Sequence, residues 1–77
     1  MIRTITIILP TSDLSDKING ILHKYSGIIL GRMGLPRVEE NEFILTIVLK
    51  SDDAEFNKLY KEIKNIKGVK SGTLTIE

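Results

Sequence analysis

Residues 26–50, SGIILGRMGLPRVEENEFILTIVLK, decide the fold. They read as a strand over 28–35, a polar turn over 36–41 led by Pro36, and a strand over 42–50. In the second of these strands Phe43, Leu45, Ile47 and Leu49 alternate with Ile44, Thr46 and Val48, so both faces are apolar. Period-two alternation marks a strand, and apolar residues on both faces mark one covered twice, hence central in its sheet. The strand before it is different. Gly31, Arg32 and Gly34 interrupt it.

Working outward towards the N-terminus, residues 2–9 alternate as well. Arg3, Ile5, Ile7 and Leu9 share one face, Ile2, Thr4, Thr6 and Ile8 the other, and Pro10 ends the strand. Thr11, Ser12 and Asp13 offer capping oxygens for a helix. Its stripe is Leu14, Ile18, Ile21, Leu22 and Tyr25, and Ser26-Gly27 is the expected stop, with glycine in the left-handed cap.

Towards the C-terminus, Ser51-Asp52-Asp53 precedes a second helix, with Asp52 and Glu55 at the spacing of a capping box. Its stripe is Phe56, Leu59, Tyr60, Ile63 and Ile66. Gly68 closes it, and residues 69–76 form the last strand, with a bulge expected at Gly72 because the apolar parity changes between Val69 and Leu74. The order β-α-β-β-α-β is the ferredoxin-like arrangement: an α+β fold with a four-stranded antiparallel sheet and two helices on one face.

The bulk numbers narrow the function. A chain of 77 residues makes one domain, 1–77, whose core alone is marginal. It has no cysteine and one histidine, which removes disulfides and a single-chain zinc site. Self-association is the remaining support. A formal charge of +1 gives no steering field for nucleic acid. No apolar run approaches the ~20 residues of a membrane span, and no signal-peptide cleavage site follows the first strand, so a cytoplasmic protein without membrane contact is expected.

The sheet face away from the helices is expected to carry Ile2, Thr4, Thr6, Ile8, Ile44, Thr46 and Val48, joined by Ile28 and Leu30 if Arg32 points outward. A face without charge in its middle reads as an interface and predicts a dimer or tetramer at micromolar concentration. The same positions lack the aromatics on which an RNA-recognition sheet stacks bases, so no direct nucleic-acid contact is expected.

Candidate chemistry is sparse. Arg32, between Gly31 and Gly34, has the form of a bidentate receptor for carboxylate or phosphate, and equally that of an edge-strand charge blocking stray pairing. Glu39, Glu40 and Asn41 offer oxygens in the turn, where such residues are also ordinary. His23 lies off the helix stripe and would need partners from other subunits to hold a metal. No Ser/His/Asp set, cysteine nucleophile or phosphate loop points to an enzyme, and no cofactor is implied.

The runs LHKYSGIILGRMGLPRVEENEFILTIVLKSDD and IKGVKSGTLTI resemble a family of short bacterial proteins proposed to regulate the iron-only hydrogenase system. Arg32, Gly34, Pro36, Glu39, Glu40 and Asn41 form the most specific part. The family is ACT-like and similar to the C-terminal domain of the nickel-responsive repressor, a tetramer. That domain holds metal through several histidines and a cysteine, whereas His23 stands alone here.

The resemblance implies a homo-oligomeric regulatory module; with the apolar open face, Arg32 and the turn, the expectation is a non-enzymatic module that binds a small ligand between subunits, through Arg32, Gly34, Glu40 and Asn41. An adaptor docking on a maturation partner is the alternative, and a metal sensor using His23 a third.

Overall fold

The computed structural model describes residues 1–37 and 42–76. The expected turn residues Glu39, Glu40 and Asn41 lie outside the described residues. The chain forms β1 (Ile2–Leu9), α1 (Ser15–Lys24), β2 (Ile29–Arg37), β3 (Glu42–Lys50), α2 (Asp53–Lys64) and β4 (Lys70–Ile76). The strands make one antiparallel sheet in the order β2-β3-β1-β4, so β1 and β3 are central and the strand bearing Arg32 is an edge.

The alternation of β1 becomes alternating burial. Ile5, Ile7 and Leu9 are fully buried, while Thr4, Thr6 and Ile8 are half-buried. Opposed residues of an antiparallel pair share a face. Ile5↔Ile47 and Ile7↔Leu45 therefore extend the covered face into β3, and Ile18, Leu22, Phe56, Leu59 and Ile63 from the helices, with Ile66 just after α2, close over it. Each fully buried aliphatic side chain contributes about 1.5–3 kcal/mol of transfer free energy, which identifies this layer as the source of the fold's stability.

Arg3 belongs to the covered face and is buried. Its guanidinium pairs with Asp53 in the first turn of α2 and lies 4.5 Å from the centre of the Phe56 ring. Asp52 caps α2 as expected, its Oδ1 accepting the Glu55 N–H at 2.8 Å. Gly68 takes the left-handed conformation, φ +88°, that ends the α2 segment.

Three expectations are corrected. Gly27 is not a left-handed cap: α1 runs on past Tyr25 into a 3₁₀ turn, Ser26–Ile28, tight enough to satisfy its last carbonyls. The capping cluster Thr11-Ser12-Asp13 leads into a 3₁₀ turn, Ser12–Leu14, and α1 starts after Leu14 with no side-chain cap.

The bulge is in β2, between Ile29 and Gly31, whereas β4 pairs with β1 in unbroken register through Thr6↔Gly72. The change of parity in β4 has a simpler cause. Val69, just ahead of the strand, packs on the core, and Leu74 and Ile76 lie on the other face, opposite Thr4 and Ile2.

Candidate functional site

Two surfaces carry the residues singled out by the sequence, on opposite sides of the sheet.

The first is the open face. The β2 bulge sets its outer column: Ile29 faces Leu49 on the covered side, and one extra residue, Leu30, shifts the parity. Gly31, Met33 and Leu35 then stand beside Val48, Thr46 and Ile44. Ile28 is not part of this face, because it lies in the 3₁₀ turn and packs against the core. Leu30 sits exposed in the bulge.

Four residues join the expected set: Met33 and Leu35 on β2, and Leu74 and Ile76 on β4, all well exposed. A reading of β2 without its bulge, and of β4 with one, hid them. Thr6 Oγ1 and Thr46 Oγ1 lie 3.3 Å apart and satisfy one another, which lowers the polarity of the centre. Glu42, Lys50 and Lys70 occupy the ends of the columns, leaving the middle uncharged. All four aromatic side chains of the protein pack on the helix side.

The second surface is a groove of about 440 Å³ between α1 and β2, lined by Asn19, Leu22, His23, Ser26, Ile29 and Arg32. Arg32 is opposite Ile47, so it projects to the helix side, and not outward with the open face. The fold thus unites Arg32 with His23, two residues that sequence spacing left unrelated. They come from the last turn of α1 and the edge strand that follows it.

No hydrogen bond or ion pair engages the side chain of Arg32 or of His23 among the described residues. The groove holds a guanidinium, an imidazole, an amide and a hydroxyl, with no carboxylate among its lining residues. Such a set donates to anions, and the guanidinium repels a cation from His23. No cluster of three or more His, Asp or Glu with metal-binding placement occurs among the described residues.

Gly34 has a packing reason for being glycine. A Cβ there would lie 2.6 Å from Cζ of Phe43, whose ring crosses the backbone of β2. Gly31 has open space where its Cβ would be.

The sequence matches the TM1266-like family, described as "Iron-only hydrogenase system regulator, putative", over residues 1–73. The chain belongs to this family. Among solved structures, an uncharacterised protein from Thermotoga maritima, TM1266, superposes with a TM-score of 0.91 at 31% identity, covering 99% of this chain and 96% of that one.

Two further structures share the fold alone. A formyltetrahydrofolate deformylase from Pseudomonas putida KT2440 matches with a TM-score of 0.71 at 11% identity, and the chain covers 29% of its length. The de novo designed protein Foldit4 matches with a TM-score of 0.57 at 17% identity, with 99% of this chain and 97% of that one covered. No curated protein matches the chain in sequence. No helix is long and apolar enough to cross a membrane.

Proposed function

We propose that the protein is a non-enzymatic regulatory module, ACT-like in build, that associates with copies of itself and responds to a small anion held at Arg32. One observation carries the ligand reading: an exposed guanidinium, unpaired among the described residues, beside His23, Asn19 and Ser26 in a groove with no carboxylate among its described lining residues. A free guanidinium with two or three neutral donors nearby is the arrangement that takes a carboxylate or phosphate oxygen pair. The groove lies on the helix side of the β2 edge, so the ligand is read as held by one chain rather than on the open face. The regulatory context comes from the family description. His23 has no acidic neighbour among the groove residues to orient it as a base, which favours binding over catalysis.

The test titrates inorganic phosphate, acetate and, at matched ionic strength, sodium chloride, following backbone amide shifts and melting temperature. Phosphate or acetate should shift Asn19, His23, Ser26 and Arg32 and raise the melting temperature, with chloride inert. Whichever of the two anions acts at lower concentration names the ligand chemistry. Arg32→Gln should abolish the response and Arg32→Lys weaken it. Shifts confined to the α2 lysines, or unchanged in Arg32→Gln, would end the reading.

A further inference from the structure

The open face has a pattern finer than apolarity. Its same-face residues fall into rows across the sheet, fixed by the strand registers. One row is Gly31, Val48, Thr4, Leu74, and the next is Met33, Thr46, Thr6, Gly72. Each row has a long, exposed side chain at one end and a glycine at the other, and the second row reverses the first. Met33 and Leu74 are each 59% exposed, whereas Gly31 and Gly72 have nothing within 4 Å of where a Cβ would stand. Around Gly72 the surface dips into a depression of about 260 Å³ floored by Thr6, Ile8, Lys70 and Ser71. The four central residues are two threonine–threonine and threonine–valine pairs of similar height.

This arrangement is complementary to itself. Stacking a second copy face to face about a two-fold axis along the strands sets Met33 over the partner's Gly72 and Leu74 over the partner's Gly31. An axis across the strands sets Met33 over the partner's Gly31 and Leu74 over the partner's Gly72. Within these two rows, either two-fold puts knobs over notches and no knob over a knob.

The size is adequate. Four strands about 4.8 Å apart and eight residues of about 3.3 Å give roughly 500 Å² per copy, or about 1,000 Å² in all, where specific interfaces begin. No charge is stranded, since Glu42, Lys50 and Lys70 sit at the rim, where lysine stems can lie along the apolar edge. We infer that this face is an isologous interface with a second copy of the chain, in which Met33 and Leu74 of each copy fill the glycine notches at Gly31 and Gly72 of the other.

The inference rests on the self-association named under the proposed function. The experiment is sedimentation equilibrium of the full chain and its variants, with circular dichroism as the check on folding. Wild type should dimerise at micromolar concentration. Thr46→Glu, in the middle of the face, should give a folded monomer. Gly72→Leu fills a notch at a position with open space above it, and should weaken association at least tenfold while the fold is kept.

The deciding step is rescue. Adding Met33→Ala to Gly72→Leu should restore association if the axis runs along the strands, and adding Leu74→Ala should do so if it runs across them. Rescue by neither, or a Gly72→Leu protein that associates as wild type does, overturns the inference. A wild-type dimer that survives Thr46→Glu also overturns it, while leaving self-association through another surface standing. A wild-type monomer removes self-association itself, and the Arg32 titration then judges the ligand reading separately.

Discussion

The two faces of one sheet are made from the same strands, one residue out of phase, and they behave as different materials. On the covered face Ile5, Ile7, Leu9, Ile47 and Leu49 have no exposure, and both helices close over them. On the open face the interleaved Thr4, Thr6, Ile8, Ile44, Thr46 and Val48 are half-buried by their neighbours in the sheet alone. Both faces are apolar. The difference lies in shape and in what completes each of them. The covered face is closed within the chain, down to a buried arginine matched by Asp53, whereas the open face alternates ridge and recess along its rows. Apolarity alone therefore does not say which face holds the monomer together. The side with helices over it does.

The largest expected effect tests that division at adjacent residues. Ile47→Ala removes a fully buried side chain and should cost about 3 kcal/mol of folding stability, the middle of the range for aliphatic truncation in a core. Val48→Ala, one residue on and on the other face, should cost about 1 kcal/mol or less in folding and act on association instead. Urea unfolding at low protein concentration measures the first, and sedimentation the second. Equal losses of folding stability would break the comparison.

How much of this was legible in the sequence follows from the same geometry. The alternation of residues 2–9 and 42–50 is local and strict, so strand type, face and central position could all be read from it, as could Asp52 and Gly68 at the ends of the α2 segment. The residues that resisted reading are those whose position depends on a neighbour. Leu30 becomes an extra residue only because β2 must pair with β3 after a 3₁₀ turn, and that one residue decides that Arg32 points to the helices and Met33 to the open side. Gly72 looked like a bulge because an apolar residue before it and apolar residues after it were assumed to share a face. The α1–β2 groove joins residues nine apart whose relation exists only once the turn between them has formed.

Glycines on β2 carry the comparison to a single strand. Gly34 lies on the covered side under the Phe43 ring, and Gly31 on the open side under nothing. Gly34→Ala must push the ring aside or lift β2 from β3, with an expected cost of about 1–3 kcal/mol, as for other overpacked sites. Gly31→Ala meets open space and should be neutral in folding, or stabilising by up to about 1 kcal/mol through the unfolded chain. Thermal unfolding of the two variants at low protein concentration decides it. A Gly34→Ala protein as stable as wild type would mean that Phe43 does not hold its place and that the edge of the covered face is loose.

The smallest effect concerns charge at the rim of the helix layer. The Glu62 carboxylate of α2 accepts from Lys24 and from the Tyr25 hydroxyl at the end of α1, tying the helices together across the surface. The hydrogen bond from Lys24, then that from Tyr25, holds the Glu62 carboxyl below its ordinary value, and the bond to Glu62 holds the Tyr25 hydroxyl above its own.

For Glu62 the contribution to stability is complete above the unfolded carboxyl value, about 4.3, and is lost as pH falls through the lowered folded value. For Tyr25 it is complete below about 10 and is lost as pH rises through the raised folded value. Glu62→Gln should therefore flatten the acid limb of stability against pH. In a Tyr60→Phe background, where one tyrosine titrates, it should also return tyrosinate formation to lower pH. Urea midpoints across pH and absorbance titration read the two effects. Because Glu62 and Tyr25 lie on the helix side, the substitution should leave association through the open face unchanged. A dimer weakened by Glu62→Gln would show that the two faces are coupled through the sheet, which the strict division of their side chains argues against.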